Sequence, residues 1–148
     1  MTKICFVIGT LEVGGAERHL LEIASHLDKK RFSCVVIALR KGRLYDDFLR
    51  AGINTFIVGK RIKIDPFAIV RLTCFIMRCK PDILHTFMFT ANTWGRLAGI
   101  FARVPHIVAS ERSLDSWKTS LHFFIDRYLG KRTARILCVS TGVNQFYA

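Results

Sequence analysis

Two adjacent glycines, Gly14 and Gly15, lie between a short apolar run and an amphipathic helical pattern. Residues 3–9 have the apolar, partly β-branched composition of a strand buried on both faces. Apolar residues then recur at helical spacing from Ala16 to Leu27. Because glycine has no Cβ and the turn amides lie at the positive end of the helix macrodipole, this pattern predicts a phosphate site. A tight loop without a ligand is the alternative interpretation.

Polar side chains also follow the other apolar runs, at the point where each run ends. The residues in such positions are Thr10, Glu12, His85, Thr86, Ser110, Glu111, Arg112, Ser140 and Thr141. Ligands of parallel α/β sheets bind at the carboxyl ends of the strands, so these side chains are expected at one edge. A histidine, carboxylates and an arginine beside glycine amides suit a sugar or phosphate ligand.

Each of these residues also has a purely structural interpretation. His85 fits a strand-end histidine whose nitrogens are satisfied by its surroundings. Glu111 and Arg112 fit a solvated pair in a loop, which contributes little to stability. Glu12 and Glu17 fit acidic residues that favour a helix N-terminus electrostatically.

The elements that must position these residues alternate strictly between strand and helix. Strand patterns cover residues 3–9, 33–39, 54–58, 82–86, 106–110 and 135–140; helical patterns cover 16–27, 43–51, 66–79, 91–102 and 116–129. Asp65 and Pro66 supply the N-cap and the first-turn proline of one helix. Strict alternation predicts an α/β fold with a doubly wound parallel sheet, helices on both faces and right-handed crossovers.

The composition fits a single domain of 148 residues, enough to bury a core. Hydrophobic residues make up 51% and the mean hydropathy is +0.27, yet no uninterrupted apolar stretch approaches the roughly 18 residues of a membrane span. Five cysteines match no zinc or redox spacing, and no Asp-x-Asp pair occurs. We therefore expect a reduced, cytoplasmic compartment and no bound metal.

Five motifs together resemble the N-terminal half of a retaining family-4 glycosyltransferase of the GT-B fold. In chain order they are GGAERHLLEIASHL from Gly14, DPFAIVRL from Asp65, KPDILHTFMFTANTWGRLAG from Lys80, VPHIVASERS from Val104 and RILCVS from Arg135. The resemblance covers nearly the whole chain. It implies that residues 1–148 form the Rossmann-like, acceptor-side domain, and that the C-terminal donor-binding domain is absent from this chain.

The resemblance also implies roles for individual residues. Gly14 and Gly15 would face the donor diphosphate across the interdomain cleft, and His85 would be the catalytic residue at that cleft. The acceptor-binding residues would be Glu12, Asn92, Arg96, Glu111 and Arg112. Retaining transfer in this fold is expected to need no dedicated protein base, so the departing diphosphate would be stabilised electrostatically while the acceptor is positioned. Beyond the nucleotide-sugar donor, no cofactor is expected.

Two departures from the family pattern limit these expectations. Phe87 occupies the position of a second histidine that many members carry. The family's nucleotide-sugar site and its paired glutamates belong to the missing domain, so the chain alone is predicted to bind nucleotide sugars weakly and to transfer no sugar. Two alternatives stay open: a non-catalytic acceptor- or membrane-binding subunit that needs a separate donor-binding chain, and a GT-B epimerase-like protein.

A net charge of +12, from 23 basic and 11 acidic residues, predicts an anionic partner. Each basic residue near an anionic leaflet gains about 1 kcal/mol, so we expect peripheral attachment to the cytoplasmic membrane face and a lipid-linked or glycan acceptor. The predicted contact residues are Lys60, Arg61, Lys63, Lys118 and Lys131. Nucleic acid is the rival partner at a pI near 10, but no nucleic-acid motif accompanies the charge, so none is expected.

An apolar stripe lies within the second basic segment. Trp117, Leu121, Phe124 and Tyr128 recur at helical spacing between lysines and arginines. This spacing predicts a helix that faces the core with a solvated, basic back.

Overall fold

The computed structural model describes residues 1–112, 116–138, 140–142 and 145. The strands are β1 (Thr2–Thr10), β2 (Phe32–Arg40), β3 (Asn54–Ile57), β4 (Ile83–Phe87), β5 (His106–Glu111) and β6 (Arg135–Cys138). The helices are α1 (Gly15–His26), α2 (Tyr45–Arg50), α3 (Pro66–Cys79), α4 (Met88–Phe101) and α5 (Ser120–Gly130). All strand pairs are parallel, in the order β3-β2-β1-β4-β5-β6, so the predicted α/β fold is confirmed.

The two faces of the sheet carry separate apolar cores, as strand alternation requires. Phe6, Ile8 and Phe87 point to the face covered by α1 and α2. Cys5 and Val7 point to the opposite face, which α3 and α4 cover. Each strand of the sheet's centre is therefore apolar on both sides, which explains its unbroken hydrophobic run.

Most predicted boundaries agree with the structure to within two residues, and two helices differ more. Asp65 caps α3 as predicted, because its Oδ1 accepts a hydrogen bond from the Ala68 N–H at 3.0 Å. Helix α4 starts at Met88, directly after β4, instead of at residue 91. Met88 adopts a φ of +68°, and this left-handed turn lets the chain enter the helix without a loop. Helix α5 starts at Ser120, four residues later than predicted.

Helix α4 lies unusually close to the sheet at two glycines. A Cβ on Gly95 would lie 2.7 Å from Thr86 Cγ2, and one on Gly99 would overlap Leu84 Cδ2. The backbone of α4 therefore packs directly on β4 and β5. This close approach brings the polar side chains of α4 within hydrogen-bond reach of the strand ends.

Helix α5 does not face the core, so the prediction made from its apolar stripe is wrong. Trp117, Leu121, Phe124 and Tyr128 are 54–69% exposed, and Leu129 is the buried residue of the helix. The sheet beyond α5 ends at the four-residue β6, which leaves little apolar surface for the helix to cover. Periodicity identified the apolar face correctly but carries no information on what covers it.

Two lysines predicted for a membrane contact are buried, which corrects that part of the prediction. Lys60 donates from Nζ to the Ile62 carbonyl at 2.7 Å. Lys118 donates from Nζ to Asp126 Oδ2 at 3.0 Å and lies over the Phe89 ring. Their charges are therefore used inside the fold. Among the described helices, none has the length and hydropathy to cross a bilayer.

Candidate functional site

The polar residues singled out from the sequence lie around the carboxyl ends of β1, β4 and β5. The strand order reverses between β1 and β4, because β2 and β3 lie on one side and β5 and β6 on the other. In open α/β sheets a ligand crevice forms outside the strand ends at such a switch point. The loop from Leu11 to Gly14 and the start of α1 border this crevice on the β1 side.

Helix α1 begins at Gly15 with its first amides uncapped by any side chain of the described residues. Gly14, the N-cap, is extended at φ −155°, and neither glycine of the pair has a positive φ. A Cβ on Gly15 would meet no atom within 4 Å. The fold itself thus requires no glycine at position 15, and a helix N-terminus without a side-chain cap is a position where an anionic ligand can bind.

Glu17 lies over the same helix end. A Cβ on Gly14 would overlap the carboxylate oxygen of Glu17, so this side chain folds back across the N-cap. A carboxylate in the first turn is favoured by the helix macrodipole. A phosphate at this position would therefore have to displace the Glu17 carboxylate.

Gly42, which the sequence analysis did not single out, holds the glycine loop in place. A Cβ on Gly42 would overlap the backbone of Leu11 and Glu12, and the Leu44 N–H donates to the Leu11 carbonyl at 2.9 Å. The loop after β2 therefore packs backbone to backbone against the loop after β1. A glycine just after a predicted strand was the available signal, but its partner lies 30 residues away in sequence.

His85 lies in the middle of β4, not at its end as predicted, on the face that α1 covers. Its ring stacks on Phe87 at 4.4 Å, and Nε2 shares a 2.7 Å hydrogen bond with Ser110 Oγ. Burial is the main cause that lowers the pKa of His85, to about 4. The imidazole is therefore neutral at pH 7, so it does not donate a proton as a charged imidazolium would.

Arg112 connects the end of β5 to α1. Its Nη1 donates a hydrogen bond to His19 Nδ1 at 2.5 Å. His19 follows Gly15 by one helical turn. Arg112, His19 and the α1 N-terminus thus lie together on the α1 side of the crevice.

Asn92 and Arg96 lie on the opposite face, buried in a polar network beneath α4. Asn92 accepts from Thr86 Oγ1 at 2.6 Å and donates from Nδ2 to the Ser110 carbonyl at 3.0 Å. Arg96 donates from Nε to the Asn92 carbonyl and from Nη2 to Asp126 Oδ1, at 2.6 and 2.5 Å. Both side chains are at most 2% exposed, so in this conformation they bind protein groups.

Glu111 belongs to the same buried network. Burial raises the pKa of its carboxyl, while nearby Lys118 opposes the shift. Asp126 accepts from both Arg96 and Lys118, so one carboxylate pairs two buried cations. The network ties the end of β5 to α4 and α5.

The structure therefore divides the predicted site residues into two groups. Gly14, Gly15, His85 and Arg112 border the α1 side of the crevice, with Glu12 exposed in the adjoining loop. Asn92, Arg96 and Glu111 lie buried on the α4 side. His19 and Asp126 were missed, since neither follows a strand. In the described residues no group of three or more His, Cys, Asp or Glu side chains could hold a metal ion.

Solved structures of similar fold cover this chain almost completely. Alr3699/HepE from Anabaena, in complex with UDP-glucose, matches at 17% identity and a TM-score of 0.80 over 99% of this chain and 40% of its own. MurG from Acinetobacter baumannii matches at 13% identity and a TM-score of 0.70, over 97% of this chain and 42% of its own. UDP-GlcNAc 2-epimerase from Methanocaldococcus jannaschii matches at 13% identity and a TM-score of 0.66, over 99% of this chain and 42% of its own. The chain thus spans about two fifths of the length of these proteins.

The fold shared with these structures is the Rossmann-like half of a GT-B protein, as the sequence motifs implied. No curated protein sequence matches the chain significantly. A family model does match: residues 13–148 fit Glycosyltransferase Family 4. Because this match spans nearly the whole chain and includes the glycine loop and every other site residue except Glu12, the protein belongs to glycosyltransferase family 4.

Proposed function

We propose that this chain is the acceptor-side domain of a retaining glycosyltransferase, which moves a sugar from a nucleotide-sugar donor to a lipid-linked or glycan acceptor. The observation that carries the proposal is the glycine at the first position of α1, whose N-terminus has no side-chain cap. Gly15 has neither a steric nor a conformational reason to be glycine. Close approach of a diphosphate to the backbone supplies that reason.

In this proposal the α1 amides stabilise the departing diphosphate. The negative charge on the leaving group grows in the transition state, and fixed N–H donors are effective against developing charge. Glu17 moves away from the helix end when the diphosphate arrives. The base and ribose of the donor are held by a second domain, which this chain needs for activity.

His85 and Arg112 act beside the α1 N-terminus, on the same side of the crevice. The neutral His85 imidazole, fixed by Ser110, offers a hydrogen bond to a sugar hydroxyl near the reacting centre. Arg112 and Glu12 contact the acceptor directly, since they border the crevice at its surface. Asn92, Arg96 and Glu111 act on the acceptor site indirectly, by fixing the end of β5 through Ser110.

Gly15→Val tests the diphosphate role in a protein that carries both domains. We expect turnover to fall by about tenfold or more, because a branched side chain would separate the phosphate from the amides. The melting temperature should change little, since a Cβ at this position meets no neighbour.

Gly130→Val is the matched control, because Gly130 also has an open environment and no positive φ, at the far end of α5. Both variants are compared by steady-state rates and thermal melts. Full activity in a folded Gly15→Val variant would show that the glycine loop does not contact the donor.

A second candidate is a nucleotide-sugar epimerase, because UDP-GlcNAc 2-epimerases are among the structures of similar fold. An epimerase changes its UDP-sugar without any acceptor. Incubating the two-domain protein with UDP-GlcNAc alone and analysing the sugar by NMR distinguishes the two. Epimer formation without acceptor would favour this second candidate.

A further inference from the structure

Four apolar side chains lie exposed around the start of α3. Ile62, Ile64, Phe67 and Val70 are 61–77% exposed within nine consecutive residues. We call these residues, with Arg61, Lys63 and Arg71, the β3–α3 patch. Single exposed apolar residues are ordinary on a protein surface, but a group of this size marks an interaction site.

The loop that presents the patch is held in a defined shape. Asp65 accepts the Arg61 N–H on Oδ2 at 3.1 Å and the Ala68 N–H on Oδ1 at 3.0 Å. Lys60 donates to the Ile62 carbonyl, and its own N–H pairs with the Leu39 carbonyl at 2.8 Å. The isoleucines are therefore turned outward by a folded loop anchored to β2.

Helix α3 is apolar on two sides. Ala68, Leu72 and Ile76 are buried against the sheet, while Phe67 and Val70 face outward. A helix that needs only to cover a sheet has a polar outer face. The apolar outer face of α3 thus indicates that this side of the domain contacts another apolar surface.

The charges around the patch are basic. Arg61, Lys63 and Arg71 are exposed, and the one acid in residues 54–81 is Asp65. Asp65 is buried, bonded within the loop and 4.0 Å from Arg71 Nη2, so the patch keeps a net positive charge. Apolar side chains beside lysine and arginine match an anionic lipid surface, where the apolar groups enter the acyl boundary and the cations meet phosphates.

This charge pattern disfavours a second copy of the chain as the occupant. A symmetric dimer would place the same basic side chains of two protomers against each other. Nucleic acid is also a poor match, because Phe67 and the isoleucines would lose water without gaining a phosphate contact. An anionic bilayer satisfies both the apolar and the basic residues.

We propose that the β3–α3 patch docks this domain on an anionic phospholipid surface, with Ile62, Ile64, Phe67 and Val70 inserted in the interfacial layer. The loop follows the carboxyl end of β3, so it lies on the same sheet edge as the glycine loop. Docking there places the crevice beside the membrane. Because part of the attachment is apolar, binding resists salt, unlike the purely electrostatic contact expected from net charge.

Co-sedimentation of the 148-residue chain with vesicles tests this. The vesicles contain phosphatidylcholine alone or with phosphatidylglycerol, at low salt and at about 1 M salt, where the Debye length is about 3 Å. Ile64→Ser with Phe67→Ser removes apolar contact, and its control is Leu49→Ser with Phe101→Ser, also exposed. Arg61→Gln with Lys63→Gln removes charge, and its control is Lys29→Gln with Lys30→Gln.

The wild type and both controls should bind phosphatidylglycerol vesicles and retain part of that binding at high salt. The vesicle affinity of the apolar variant should fall about tenfold at both salt concentrations. The vesicle affinity of the charge variant should fall about fivefold per replaced residue, at low salt only. Circular dichroism melts establish that each variant is folded. Vesicle binding does not require sugar transfer, so this result is separate from the Gly15 test.

Three outcomes would overturn the proposal. One is no binding of the wild type to phosphatidylglycerol vesicles at low salt. Another is unchanged binding by the folded apolar variant, especially if Phe124→Ser with Tyr128→Ser on α5 abolishes binding instead. The third is an apolar variant that dissociates a dimer in analytical ultracentrifugation while binding vesicles like the wild type.

Discussion

His85 illustrates at the residue scale how a fold changes the chemistry of a side chain. The sequence places a histidine near a strand end, where it could be protonated and exposed to a ligand. In the structure it lies between aromatic rings and beside Ser110, and burial keeps it neutral. In the proposed function its contribution is therefore hydrogen bonding and shape.

The lowered pKa of His85 predicts a pH dependence of stability. The unfolded chain binds a proton at this histidine near pH 6.5, whereas the folded chain does so near pH 4. Stability therefore falls as the pH is lowered from about 6.5 to 4, by up to about 3 kcal/mol. Urea unfolding across this range measures the slope, and His85→Gln should flatten it.

Exposed His26→Gln serves as the control for the replacement of a surface histidine. An NMR titration of the His85 ring in the folded protein gives an independent reading. A ring that titrates near pH 6.5 would contradict the buried, neutral state.

At this scale the sequence identified residue types better than partners. His85, Ser110 and Arg112 were found because each follows an apolar run, and all three lie near the crevice. Asn92, Arg96 and Glu111 were expected beside an acceptor, yet they are buried. Burial of a charged side chain depends on a distant partner, here Asp126, and sequence spacing does not reveal that partner.

At the scale of elements, the joint between α4 and α5 depends on polar contacts. Arg96 on α4 reaches Asp126 on α5, and Asp126 also pairs Lys118. Aromatic contacts accompany these ion pairs, because the Phe89 ring on α4 packs edge-on against Trp117 at 4.7 Å and His122 at 5.5 Å. The Asp126 carboxylate is thus the charged part of the contact that anchors α5 to the rest of the domain.

Asp126→Asn should lower the free energy of unfolding by about 2–4 kcal/mol, because two buried cations would lose their counter-charge. Asp46→Asn, at an exposed position on α2, should lower the free energy of unfolding by only a small fraction of that amount. Thermal and urea unfolding of both variants gives the comparison. Equal stability of the two would show that solvent compensates Arg96 and Lys118.

The strands and helices themselves were largely predictable. Unbroken apolar runs separated by amphipathic segments leave few alternatives to a parallel, doubly wound sheet. The start of α4 was placed too late because Met88 takes a left-handed conformation that sequence rules reserve for glycine. The wrong orientation of α5 came from a different cause: periodicity shows a face, and the edge of the sheet decides whether it is covered.

At the scale of the whole molecule, the proposed function makes this chain one wall of a cleft. The chain spans about two fifths of the length of the structures of similar fold, and its crevice is bordered by α1 and by the ends of β4 and β5. A ligand held at one wall gains a fraction of the contacts it would make in a closed site.

Titration calorimetry of the 148-residue chain with a panel of nucleotide sugars should therefore show weak binding, with a Kd of about 1 mM or weaker. No sugar transfer should be detected with this chain alone. The two-domain protein under the same conditions is the positive control. Tight, stoichiometric binding by the isolated chain would show that it holds the complete donor site.

The contact between Gly42 and the Leu11–Glu12 backbone makes the glycine loop unsuitable as an interchangeable module. An engineer who transplanted the segment from β1 through α1 into another sheet would lose the surface against which the loop rests. The loop after β2 would have to travel with it, as a matched pair. We therefore expect the fold to tolerate a length change in one loop only when the other loop changes with it. This pair of loops is thus the natural unit for chimeras between family members.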